Sequence, residues 1–245
     1  MHDQLLGSTQ PVLSISLEPG ESVVGATGEF AWMTDSIQMT DSAQMTDSIQ
    51  TDAIQTGSVQ MAAGQAGMSA YLAKAEAGTV AFASRLPGAI LSVEVTPGRE
   101  FMVHRRAFLA GTPGIELSTG FRQSLRNPGT AGGEFVLRRI GGVGRAWVEL
   151  SGDVVRRDLT AGVSLRTHPW HIGMSDASVA VQLAELEEPA ASEFGQDVRQ
   201  FAVLSGPGSV WLQSMPWLAE PQLRQRVPAD HVPAAEGAAG TSRAS

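Results

Sequence analysis

Ile15-Ser-Leu-Glu-Pro-Gly-Glu-Ser-Val-Val24 reads as a strand, a Pro-Gly turn and a second strand. Apolar and polar residues alternate on both sides of the turn, the period-2 pattern of half-buried strands. Proline presets φ near −65° and glycine accepts the positive φ that such a turn needs. The same phrase returns as Val93-Glu-Val-Thr-Pro-Gly-Arg-Glu-Phe-Met-Val103 and as Arg157-Asp-Leu-Thr-Ala-Gly-Val-Ser-Leu165, with Ala161 in the proline's place. The turn glycines Gly20, Gly98 and Gly162 lie 78 and 64 residues apart.

A second marker closes each copy: Ala77-Gly-Thr-Val-Ala-Phe-Ala83, Gly142-Val-Gly-Arg-Ala-Trp-Val148 and Gly206-Pro-Gly-Ser-Val-Trp-Leu212. Its glycines, Gly78, Gly144 and Gly208, lie 66 and 64 residues apart. Two independent markers thus agree on a period, which is the signature of tandem structural units. The expected fold is all-β, with units at 12–84, 85–152 and 153–215 around an approximate internal threefold. Trp147 and Trp211 are read as occupying one place in the core of their units, with Phe82 standing there in the first. Gly141-Gly-Val-Gly144 precedes no helical pattern and reads as a hairpin turn. Residues 1–11 read as an N-terminal tail. Residues 223–245, rich in Ala, Pro, Gly and Arg without an apolar face, read as a disordered tail.

The longest anomaly is a hexad array over residues 33–60: MTDSIQ, MTDSAQ, MTDSIQ, then TDAIQ and TGSVQ. Met, Asp and Ile share one parity and Thr, Ser and Gln the other, so a strand would carry one polar and one mixed face. A single strand of that length is excluded by ordinary strand sizes, so the chain must turn at Thr-Asp or Asp-Ser. Each hexad buries little apolar area, so the array is expected to order only against an existing sheet or another subunit. Asp35, Asp41 and Asp47 are accordingly candidate interface residues, as is Trp217 beyond the last unit.

The chain has 245 residues, 42% of them hydrophobic, with a net charge of −8 and no cysteine. Disulfides, thiolate metal sites and cysteine nucleophiles are therefore excluded. Residues 1–84 hold nine acidic residues against one basic, Lys74, while the remainder is balanced. An acidic first third repels phosphate, which argues against nucleic acid as a partner. No apolar run approaches the eighteen or so residues of a membrane-spanning helix, and residues 1–10 lack a basic, apolar leader. The expected location is cytoplasmic.

Leu17-Glu-Pro-Gly-Glu-Ser-Val-Val24, Leu86-Pro-Gly-Ala-Ile90, Pro97-Gly98 with Val103-His-Arg-Arg-Ala-Phe-Leu-Ala110, and Gly206-Pro-Gly-Ser-Val-Trp-Leu-Gln-Ser214 resemble, in that order, the Altered Inheritance of Mitochondria protein twenty-four family. The resemblance covers about residues 12–215. It implies the double-sheet β units of the tryptophan RNA-binding attenuation protein, repeated with pseudo-threefold symmetry in one chain; the function of the family is poorly defined. RNA binding does not carry over, since that chemistry needs a basic and aromatic surface. The chain departs from the family pattern where Phe30 to Met39 opens into the hexad array, and where the following glycine-rich loop shrinks to Ala62-Ala-Gly-Gln-Ala-Gly-Met68.

No catalytic constellation stands out. The chain lacks a serine elbow of the GxSxG kind, and His168-Pro-Trp-His171 does not have the helical setting of a zinc motif. His104, beside Arg105 and Arg106, is expected to have a lowered pKa. The leading expectation is a non-enzymatic binding or scaffold protein with no cofactor, acting through a protein partner or as a homo-oligomer. The alternative is a protein that binds a small molecule or a divalent cation through its acidic first unit; whether a metal binds is left open by the residues.

Overall fold

The computed structural model describes residues 1–41, 67–125, 134–185 and 200–216. Among these residues the chain forms strands and two short 3-10 turns, and no α-helix. The strands are β1 (His2–Leu6), β2 (Val12–Leu17), β3 (Ser22–Ala26), β4 (Phe30–Met33), β5 (Ile37–Asp41), β6 (Met68–Ala73), β7 (Gly78–Ala83), β8 (Gly88–Val95), β9 (Phe101–His104), β10 (Phe108–Gly111), β11 (Ile115–Ser124), β12 (Glu134–Gly142), β13 (Gly144–Ser151), β14 (Val154–Leu159), β15 (Ser164–Thr167), β16 (Ile172–Asp176), β17 (Ala180–Glu185), β18 (Gln200–Ser205) and β19 (Gly208–Gln213).

Pairing is antiparallel throughout these strands and follows a recurring scheme. An opening strand pairs with a closing strand in β2–β7, β8–β13 and β14–β19. The next strand pairs with the fifth of its set in β3–β6, β9–β12 and β15–β18. The third pairs with the closing strand in β4–β7, β10–β13 and β16–β19, each with a register shift at the same step: Phe30/Trp32, Phe108/Ala110 and Ile172/Met174. The fourth pairs with the fifth in β5–β6, β11–β12 and β17–β18. Two further pairings, β3–β10 and β9–β16, join one set to the next. The resulting sheets run β1-β2-β7-β4, β5-β6-β3-β10-β13-β8, β11-β12-β9-β16-β19-β14 and β15-β18-β17.

The Pro-Gly turns are corners between sheets, since β2 and β3 belong to different sheets, as do β8 and β9. Gly20, Gly98 and Gly162 adopt φ of 85°, 84° and 83°. In each turn the residue after the glycine donates its N–H to the carbonyl three residues back, at 2.9, 2.8 and 3.0 Å. Such closure with positive φ at the third position is the type II pattern. The interior is apolar, with Leu13, Ile15, Tyr71, Phe82 and Trp147 in one cluster. Gly25 is required there, because a Cβ at that position would collide with the Phe82 ring.

Several expectations need correction. Residues 1–11 are not a tail, since β1 pairs with β2 along its whole length, His2 opposite Ser16 through Leu6 opposite Val12. Gly141 to Gly144 make no hairpin, because β12 and β13 lie in different sheets and Val143 instead donates to Gly114. Within the first hexad the chain does turn at Thr34-Asp35-Ser36, where Ile37 donates its N–H to Thr34 at 3.0 Å. That turn separates β4 from β5, which becomes the edge of a six-stranded sheet. Ile37 is buried, whereas Met39 is 41% exposed, so the face of mixed residues is only partly covered. The rest of the array and the 223–245 segment lie outside the described residues.

Candidate functional site

The geometry singles out two related places, each set by an opening strand and a tryptophan of the following set. In the first, β1 lies along β2 and covers Trp147 of β13. Asp3 stands opposite Ile15 in this ladder. Its carboxylate accepts the Trp147 Nε1 proton at 3.1 Å and one from Arg145 Nη1 at 2.8 Å. Arg145 also donates from Nε to Glu94 at 2.7 Å. The Glu94 and Asp3 carboxylates together hold the Arg145 guanidinium above its ordinary pKa. The Met1 ammonium sits on Glu21, at 2.6 Å, and lowers the Glu21 pKa. Covered in this way, Leu13 and Ile15 are fully buried and Trp147 is 1% exposed.

The second place is a groove of about 830 Å³ between β8 and the sheet holding β9, β16, β19 and β14. Its wall is the edge of β8 at Leu91 to Glu94, which pairs with no strand among the described residues, and its floor includes Phe101, Met174 and Trp211. The Phe101 ring meets Trp211 edge-on at 6.3 Å. The Arg156 guanidinium lies 5.3 Å from the Trp211 ring centroid, a cation–π contact, and donates to Ser209 at 3.0 Å. Ser209 in turn donates its backbone N–H to Asp176 at 2.7 Å. Arg139 pairs with Glu100 at the rim.

Buried titratable groups lie elsewhere. Glu149 is buried and accepts the Arg85 N–H at 2.9 Å, while burial pushes its pKa up to about 7. The Arg85 side chain reaches the buried Glu29 carboxylate. His104 is 1% exposed, and its ring meets Trp170 edge-on at 5.7 Å. Burial first, then the Arg105 and Arg106 charges, bring its pKa down to about 3, in the direction the sequence indicated. His171 Nδ1 lies 2.8 Å from the Gln213 carbonyl. Among the described residues no group of acids and histidines converges as a metal site.

Comparison with known proteins now decides the family. The model of the mitochondrial biogenesis AIM24 family matches residues 4–215. The chain belongs to that family. The X-ray crystal structure of protein SPYM3_0169 from Streptococcus pyogenes resembles this AIM24-family chain in fold, with a TM-score of 0.66 and 18% identity, over 91% of this chain and 95% of that one. No curated protein matches the chain.

Of the expected interface residues in this AIM24-family chain, Asp35 is exposed in the turn before β5, and Asp41 ends β5. Asp47 and Trp217 lie outside the described residues. Asp35 and Asp41 are thus the two members of that set among the described residues. The tryptophan equivalence also needs correction. Trp147 and Trp211 do share a register, facing Ala110 and Met174, but the first-set residue in that register is Ala81, facing Trp32. Phe82 instead matches Val148 and Leu212 and points to the opposite side of the sheet. Counting from Gly78, Gly144 and Gly208 would have shown this, since each indole follows its glycine by three residues. The groove and Asp3 were missed because neither carries a local motif.

Proposed function

We propose that this AIM24-family chain is a non-enzymatic binding or scaffold protein. In this reading its three sets of six strands are copies of one unit about an approximate threefold axis, in the double-sheet arrangement of the tryptophan RNA-binding attenuation protein. The carrying observation is the recurrence of four pairing types three times along the chain, with the same register shift in each third-to-closing pair. Such an array presents several sheet edges, which are natural places for protein partners. The buried polar groups are compatible with the same reading, because Glu29 pairs with Arg85, Glu149 accepts the Arg85 N–H, and His104 packs against Phe135 and Trp170. The acidic first third disfavours nucleic acid as the partner.

Affinity purification of the full chain from its native source, followed by cross-linking and quantitative mass spectrometry, tests the reading. A partner recovered in fixed stoichiometry, or a defined homo-oligomer, is the expected result. Native mass spectrometry with calcium supplies the contrary outcome: a bound ion that raises the melting temperature would favour a cation-binding protein instead.

A further inference from the structure

We infer that the groove beside β8 is a strand-addition site for an extended, carboxylate-bearing segment of a partner protein; this rests on the binding role proposed above. The chain itself supplies the template. β1 adds to the outer edge of β2 and places Asp3 on the indole of Trp147. β8 presents the corresponding edge: Ile15 faces Val80 and Val93 faces Ala146, with Ile15 and Val93 each five residues before the corner glycine and Val80 and Ala146 each two residues after the closing-strand glycine. Beyond β8 stands Trp211, in the register of Trp147. Past Gly88, whose N–H donates to the Thr9 carbonyl at 2.9 Å, the edge of β8 pairs with no strand among the described residues, and it forms the groove wall.

Burial gives a second, independent observation. Leu13 and Ile15, on the strand that β1 flanks, are fully buried, whereas Leu91 and Val93 remain half-buried. Trp211 is half-buried where Trp147 is enclosed. Among the described residues, nothing does for the Trp211 N–H what Asp3 does for Trp147. In the first set the residue in the tryptophan register is Ala81, so no third indole stands in that place.

The groove lining holds Glu94, Glu100 and Asp176 beside Arg99, Arg139 and Arg156, with Arg139 paired to Glu100, so selection of the occupant rests on the cations at Trp211 and at the corner. Arg156, which also pairs with the exposed Asp158 at 3.0 Å, covers Trp211, whereas the small Ser92 stands opposite Trp147. An acid facing Val93 would therefore meet an indole N–H and a guanidinium together. At the end of the first slot, Glu21 follows the turn glycine and holds the Met1 ammonium; in the groove that place is taken by Arg99. A second copy of β1, with its ammonium, would be repelled there, while an internal segment with a second acid would be held. Main-chain bonds to β8 supply affinity, and the acids supply selection.

The test uses the full chain with 15N-labelled tryptophan and the peptide acetyl-EKDQLL-amide. This peptide is β1 with Glu in place of Met1, to face Arg99, and Lys in place of His2, to face Glu94. A saturable shift of the Trp211 indole resonance is expected, assigned by Trp211→Phe, with binding about tenfold weaker for acetyl-EKNQLL-amide, which lacks the charge-assisted bond. Val93→Lys, which leaves the Trp211 signal in place, should abolish the shift. No saturable shift at about 2 mM peptide, a dissociation constant too weak for a specific site, would overturn the proposal. Equal binding of the two peptides would do so too, as would a shift at Trp147 or a dimer lost on Val93→Lys. If the groove fails while a natively purified partner still binds the Val93→Lys chain, the scaffold reading stands and only this site is wrong.

Discussion

The Asp3 carboxylate accepts the Trp147 indole proton at 3.1 Å, joining residues 144 positions apart. This contact fastens the first strand of the chain to the closing strand of the second set, and it brings Arg145 and Glu94 into the same network. β1 is thus a structural cover over an otherwise open sheet edge.

Asp3→Asn should lower stability by about 1–2 kcal/mol, since one charge-assisted bond and an ion pair are weakened while the size is kept. Removing residues 1–6 should cost more, because Leu13, Ile15 and Trp147 would then meet water, at roughly 1.5–3 kcal/mol for each large aliphatic side chain uncovered. Thermal melting and a red shift of tryptophan emission are the measurements. An unchanged melt for the truncated chain would show that β1 covers nothing of consequence.

Arg85→Ala should be strongly destabilising, by about 3–5 kcal/mol, because the buried Glu29 carboxylate would lose its cation. The double variant with Glu29→Gln should recover much of that loss, since the uncompensated charge is gone. Chemical denaturation of the single and double variants measures the coupling.

Stability should be nearly flat with pH in one window and fall on both sides of it. His104 stays neutral in the fold down to about 3, against an ordinary value of 6.5. As pH falls from 6.5, the unfolded chain therefore gains a proton that the fold refuses, and stability drops by about 1.4 kcal/mol per pH unit. Glu149 keeps its proton in the fold up to about 7, against an ordinary 4.5. As pH rises from 4.5, the unfolded chain loses a proton that the fold retains, and stability drops with the same slope. The two slopes oppose each other between the ordinary values and leave a plateau. Glu149→Gln should abolish its half, so that stability climbs to about pH 6.5 and then holds. Identical pH–melting profiles for Glu149→Gln and the parent chain would refute this account.

Gly25→Ala should cost about 1–3 kcal/mol through overpacking against the Phe82 ring. Combining it with Phe82→Leu should return part of the loss, because the smaller side chain vacates the space that the new methyl needs. Calorimetry on the two singles and the double gives the answer; strict additivity would place the strain elsewhere.

The sequence alone determined the corners and the strand class. Glycine at positive φ is a local steric matter, so Gly20, Gly98 and Gly162 could be read directly, and so could the alternation flanking them. The turn at Thr34-Asp35-Ser36 was legible for another local reason, the turn preference of Thr, Asp and Ser, with the Thr34 and Ser36 hydroxyls bonded to each other within the turn. Only the tertiary structure decided which edges are covered. β1 is a short, mostly polar strand, and nothing in His2 to Leu6 announces that β2 will receive it. Its place depends on Trp147 and Arg145, which lie over 140 residues away and reach Asp3 only after the sheets assemble. The same long-range assembly buries one tryptophan and leaves its counterpart in an open groove. The two indoles share one register, and the difference in their burial comes from whether a neighbouring backbone edge has already been paired.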